Sequence, residues 1–90
     1  MEFEWNPDKA NLNLTKHKVA FFEAMSVFND PHAYTFHDPE HSIEENRYLV
    51  FGYSALNRLL TVAYIYREGK IRLISARRST AGEKEIYGES

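Results

Sequence analysis

Three apolar runs, RYLVFGYS (47 to 54), LLTVAYIY (59 to 66) and KIRLISAR (70 to 77), follow one another with only ALNR and REG between them. Each is rich in β-branched and aromatic residues, which suit a pleated, half-buried surface. Connections this short join antiparallel neighbours, because a parallel crossover takes about a dozen residues or more. The second half of the chain is therefore expected to form an antiparallel meander.

The first half reads differently. Phe3 to Trp5 suits a short strand, and Asn6-Pro7-Asp8 has the form of a helix start, with asparagine as N-cap and proline at the first helical position. The helix is expected to run to about Lys18 and to turn Ala10, Leu14 and His17 inward. Residues 20 to 29 predict a second helix, with Phe21, Met25 and Phe28 on one stripe and Asp30-Pro31 ending it. From Pro31 to Glu45 the chain is polar and broken by prolines, and reads mostly as loop with a short edge strand over AYTF (33 to 36). Thr80, with Glu83 three residues on, starts a short last helix over GEKEIYG. The expectation is an α+β fold over residues 1–90: a three- to four-stranded antiparallel sheet with two N-terminal helices and a short C-terminal helix, helices covering one sheet face.

Ninety residues close one hydrophobic core and not two. No apolar stretch approaches the roughly 18 residues of a membrane span and no signal-peptide pattern opens the chain, so a cytoplasmic protein without membrane contact is expected. The sequence has no cysteine, which removes disulfides, thiolate metal sites and cysteine nucleophiles. No GxxxxGK[ST], GxGxxG, GxSxG or HExxH pattern occurs, so the chemistries those motifs serve lack support.

The net charge of −2 hides a segregation. Residues 1 to 57 carry four basic and nine acidic side chains, whereas residues 58 to 78 carry six basic ones against Glu68 alone. Screening confines each charge to a reach of roughly 10 Å at moderate salt, so a basic surface attracts a polyanion even on a slightly acidic molecule.

Three of the four histidines, His32, His37 and His41, lie close together beside Asp30, Asp38 and Glu40. A metal site through His37 and His41 needs an i, i+4 pair on a helix, and Pro39 stands between them. A polar loop is the commoner outcome, and no metal or other cofactor is expected. In ISARRST a strand brings Arg77 and Arg78 to its end. Adjacent strand residues face opposite ways, so one arginine is expected over the open sheet face and the other toward the helices or in a rim ion pair. Guanidinium groups bind phosphate as a fork and keep their charge at any relevant pH. Tyr64 and Tyr66 share a face, where their rings either stack on bases or pack into the core.

Three blocks, FEWNPDKANLNLTKHKVAFFEAMSVFND, DPEHSIEENRYLVFGYS and IRLISARRST followed by Glu83 and Tyr87, resemble in order and spacing the BrnT-type toxins of bacterial type II toxin–antitoxin systems. The resemblance implies a RelE-like fold and an endoribonuclease that arrests translation. It implies metal-independent attack of an RNA 2′-hydroxyl on the neighbouring phosphate. It also implies a cognate antitoxin with a ribbon-helix-helix DNA-binding part, with which the toxin forms a hetero-oligomer. On this frame the catalytic candidates are Arg77, Arg47, Glu45, His41 and Tyr87, with the arginines on phosphate and the other three moving protons. Arg78, Arg67, Tyr64, Tyr66 and Arg72 are the RNA-binding candidates. Similar sequences commonly have glycine where Lys18 stands. The alternatives are a non-catalytic antitoxin-binding or degenerate toxin with the same fold, and a small histidine-carboxylate metal binder.

Overall fold

The computed structural model describes residues 1–43 and 45–88. The elements, in chain order, are β1 (Phe3–Glu4), α1 (Pro7–His17), α2 (Phe21–Ser26), β2 (Tyr34–Asp38), β3 (Arg47–Tyr53), β4 (Leu59–Arg67), β5 (Lys70–Arg78) and α3 (Ala81–Tyr87), with single 3-10 turns at Val27–Asn29 and Pro39–His41. The meander forms as expected from its short connections. Glu68 and Gly69 both take positive φ, 52° and 78°, which matches the twist of the two strands they join.

The sheet is larger than expected and mixed, with five strands in the order β1-β5-β4-β3-β2. β1 runs parallel to β5, pairing Phe3 with Ile71 and Glu4 with Arg72. Two residues carry too little pattern to reveal such a pairing in advance. β2 reaches Asp38, beyond the expected 33 to 36, and pairs antiparallel with β3 from Tyr34↔Phe51 to Asp38↔Arg47. Its polar, exposed sequence is that of an edge strand, whose side chains bury little and so leave a weak apolar signal.

One face of the sheet holds the core. Val50, Leu60, Val62, Tyr64, Leu73 and Ala76 pack there against Val19, Phe21, Ala24 and Val27, with Met25 and Phe28 beside them. Each large aliphatic side chain so buried contributes roughly 1.5–3 kcal/mol. The strands alternate, so the next residues along face the other way: Arg47, Thr61, Ile65 and Arg77 line the opposite, more open face.

The helices do not share one face as expected. α2 covers the core face, whereas Glu83 of α3 bonds Thr61 and Arg77 on the open face. α3 starts with a capping box, in which Glu83 N–H donates to Thr80 Oγ1 at 3.2 Å and Thr80 N–H donates to Glu83 Oε1 at 2.8 Å.

α1 starts as expected, with Asn6 Oδ1 accepting from Asp8 N–H at 2.8 Å and Lys9 N–H at 3.2 Å. Its inward face agrees with the expected one at Ala10, which packs against the core, and departs from it at Leu14. Leu14 is 48% exposed, and the buried residue is Asn13. The Asn13 amide donates to the carbonyls of Val19 and Ala76, at 2.9 and 2.8 Å, and accepts from Ala76 N–H at 3.0 Å. β1 is paired only as far as Arg72, so the later part of β5 has a free edge, and Asn13 satisfies it in place of another strand. A polar side chain at an inward position is therefore what ties α1 to the sheet. Lys18 ends α1 at φ 59°, the left-handed conformation that glycine adopts at little cost. No helix among the described residues is long and apolar enough to cross a membrane.

Candidate active site

Strand pairing sets one row of residues straight across the sheet: Asp38 on β2, Arg47 on β3, Ile65 on β4, Arg72 on β5 and Glu4 on β1. Neighbouring strands lie about 4.8 Å apart, so the backbones of Arg47 and Arg72 are roughly 10 Å from one another, with Ile65 between them. Ile65 is 6% exposed and forms an apolar base under the two cations. Arg67, two residues beyond Ile65 on β4, faces the same way.

The turn that follows β2 closes one side of this row. Ser42 Oγ accepts from Arg47 N–H at 2.8 Å and donates to the Asp38 carbonyl, which pins the turn to the start of β3. His41 Nδ1 lies 2.9 Å from Asp38 Oδ2. An ionised carboxylate only accepts, so Nδ1 carries the proton in the neutral ring and Nε2 keeps its lone pair, the form a proton acceptor needs.

Together these groups line an open cleft of about 580 Å³ in which Arg47, Arg67, Arg72 and Lys9 stand against Glu40 and Glu45, with His41 and Asn6 at the wall. The three arginines differ in their company. Arg67 is paired with Glu45, and that hydrogen bond holds the Glu45 carboxyl below its usual range. Arg72 Nη1 donates to Glu4 Oε2 at 2.9 Å. Arg47 forms no ion pair among the described residues, and its buried Nε has no hydrogen-bond partner there.

Five of the ten side chains singled out in the sequence, Arg47, Glu45, His41, Arg67 and Arg72, thus meet in one cleft. The other five stand elsewhere. Arg77 and Arg78 do face opposite ways, pairing with Thr61 and Leu60 respectively. Arg77 turns to the open face but is held by Glu83, with Nη1 donating to Oε1 at 2.7 Å and Nη2 to Oε2 at 2.9 Å. Burial opposes ionisation of Glu83, yet bonds from Arg77, Thr80 N–H and Thr61 bring its pKa down to about 2. Arg78 lines a separate hollow of about 260 Å³ with Arg58 and Lys84.

The tyrosines are also apart from the cleft. Tyr64 is 3% exposed, and burial raises its phenol to about 12, so of the two readings of this residue it is core. Tyr66 is 58% exposed but stands on the face of Tyr48 and Tyr64, opposite to Arg47. Tyr64 and Tyr66 therefore do not share a surface with Arg47, Arg67 and Arg72, because strand alternation sends them to opposite faces. Tyr87 OH donates to Asp30 Oδ2 at 2.6 Å and its ring packs edge-on to Tyr53; burial and the Asp30 carboxylate raise its phenol to about 12.

The sequence does not single out Asp38, Lys9 and Asn6 for the site. Asp38 stands three residues before His41, a spacing that a 3-10 turn closes, so the signal lay in the opening DPEH of one block. Nothing local links Asn6 and Lys9 to residues some 40 to 60 positions away. His37 Nε2 lies 3.1 Å from Asn46 Oδ1, and no group of three or more candidate metal-ligand side chains gathers among the described residues.

The fold is similar to the crystal structure of the Brucella abortus ribonuclease toxin, BrnT, with a TM-score of 0.68 at 18% sequence identity over 89% of this chain and 97% of that one. No curated protein matches the sequence. A family model described as the ribonuclease toxin, BrnT, of type II toxin–antitoxin systems matches residues 5–83. Nearly the whole chain lies within that match, and the protein belongs to the BrnT family of type II toxin–antitoxin ribonuclease toxins.

Proposed function

We propose that this toxin is a metal-independent endoribonuclease that cuts RNA in the cleft around Arg47 and so arrests translation in the cytoplasm. The observation that carries the reading is the row Asp38-Arg47-Ile65-Arg72, which sets a guanidinium with no ion pair among the described residues next to a carboxylate-held histidine over an apolar base.

His41 Nε2 takes the proton of a ribose 2′-hydroxyl. The 2′-oxygen bonds to the adjacent phosphorus while the bond to the 5′-oxygen of the next nucleotide breaks, leaving a cyclic phosphate. The departing oxygen takes its proton from solvent in the open cleft. Arg47, which has no carboxylate partner among the described residues, stabilises the charge that develops on the phosphoryl oxygens. Arg67 and Arg72, already paired, hold the flanking backbone. Glu45 is a poor base because Arg67 favours its ionised form. Arg77 has no step in this chemistry and serves to hold α3 through Glu83.

Cleavage of RNA in the presence of a chelator tests the proposal. Arg47→Ala is expected to lower kcat by about a hundredfold, the usual cost of a lost transition-state contact. Cleavage that stops with chelator, or an Arg47→Ala variant within about threefold of the parent, contradicts it.

The second reading, an antitoxin-binding module without catalysis, is favoured by the carboxylates already on Arg67 and Arg72. In both readings the partner is the cognate antitoxin that the family implies, with a ribbon-helix-helix DNA-binding part. Tight antitoxin binding with no cleavage by the free parent protein selects the second.

A further inference from the structure

Next to the cleft lies a second hollow, of about 240 Å³, along the seam between α1 and β5, and Lys9 and Ile74 line both. The two therefore adjoin at Lys9 and Ile74, beside the row of arginines.

A β-bulge shapes the seam. Tyr64 pairs with Leu73 and Ala63 with Ser75, which leaves Ile74 as the extra residue on β5. Leu73 and Ala76, at 1% and 0% exposed, both face the core, so the normal alternation is broken and Ile74 and Ser75 both turn outward. On the other wall, Lys9 and Lys16 stand seven residues apart on α1. That spacing returns to the same helix face about 10 Å further along. Leu12, 66% exposed, lies between them, and no carboxylate of the described residues lines the hollow. Neither lysine forms an ion pair among the described residues.

Apolar contacts flanked by unpaired cations suit one unit of a single-stranded nucleic acid, whose base is flat and weakly solvated and whose phosphates are anionic. We propose that the seam binds the nucleotide next to the scissile one, with its base against Leu12 and Ile74 and its phosphate between Lys9 and Lys16. The inference rests on reading the cleft as the site of RNA cleavage. It assigns Lys16, Leu12 and Ile74 to substrate length and affinity, not to chemistry.

Binding of fully 2′-O-methylated RNA, which offers no attacking hydroxyl, separates affinity from turnover. The parent is expected to bind a tetranucleotide about tenfold or more tighter than a dinucleotide, and Lys16→Ala to lose most of that gain while its salt slope falls by about 0.7, the share of one phosphate on a single strand. Cleavage of an unmodified dinucleotide by Lys16→Ala should remain within about twofold of the parent, because Lys16 is exposed and outside the cleft. Lys16→Glu should weaken the tetranucleotide further. A parent that gains nothing from the longer RNA, or a Lys16→Ala variant that keeps both the gain and the slope, overturns the seam site. Failure of the cleft chemistry shows separately, as dinucleotide cleavage that Arg47→Ala leaves intact, and a Lys16-dependent gain in that case still supports the seam as an RNA contact.

Discussion

Glu83 grips Arg77 with both carboxylate oxygens, at 2.7 and 2.9 Å, and through this pair α3 is fastened to the open face of β5. The same carboxylate accepts from Thr61 Oγ1 at 2.8 Å, so one side chain joins α3, β4 and β5.

The pH dependence of stability follows from that carboxylate. Its folded-state pKa of about 2 lies below the ordinary 4.5, so the stabilisation is fully present above about pH 4.5 and is lost as the pH falls through 2. The shift corresponds to roughly 3 kcal/mol, at 1.36 kcal/mol per pH unit. Denaturant unfolding of the parent and Glu83→Gln at a series of pH values should give curves that converge toward pH 2 and part by that order at pH 6. A gap that does not change with pH contradicts the assignment.

Asn13 is the side chain by which α1 replaces a strand at the β5 edge. Asn13→Ala removes three hydrogen bonds and leaves both backbone groups of Ala76 without a partner away from water. The expected loss is roughly 3 kcal/mol, at about 1 kcal/mol for each bond and more for stranded groups. Urea titration at neutral pH measures it, and a loss under about 1 kcal/mol means that water or a shifted α1 satisfies the edge.

Lys18 takes a φ of 59° at the end of α1, and its carbonyl accepts from Arg58 Nη2 at 3.1 Å. Lys18→Gly keeps that carbonyl and relieves the left-handed strain, so a gain of up to about 1 kcal/mol is expected. The Lys18 ammonium also donates to the Thr15 carbonyl at 3.0 Å, a surface contact of smaller weight. A thermal midpoint that falls in the glycine variant refutes the argument.

The His41–Asp38 contact makes a kinetic prediction. His41→Ala should lower kcat about a hundredfold, the usual contribution of a positioned base, with KM within about threefold. A variant that keeps kcat within about threefold of the parent moves the base to another residue.

Local signals made much of this fold legible. Apolar runs with short connections specify antiparallel pairing, and an asparagine followed by proline starts a helix, because both depend on backbone geometry within a few residues. The opposite facing of Arg77 and Arg78 is equally local, since strand alternation decides it. What escaped were features whose cause lies far along the chain. β1 exists because the β5 edge at Ile71 and Arg72 accepts it, and Asn13 is buried because the rest of that edge is open.

The candidate site divides in the same way. Sequence alone determined the family, the types of side chain available and the strand faces on which the arginines stand, as each is encoded in residue order and spacing. Only the tertiary structure decided which arginines meet. Register across three strands brought Arg47 level with Arg72, while α3 folded back to occupy Arg77 with Glu83. A charge can be read from its residue, but its partner depends on which distant carboxylate the packing brings within a few ångströms, and a Coulomb interaction at contact outweighs a screened one further away.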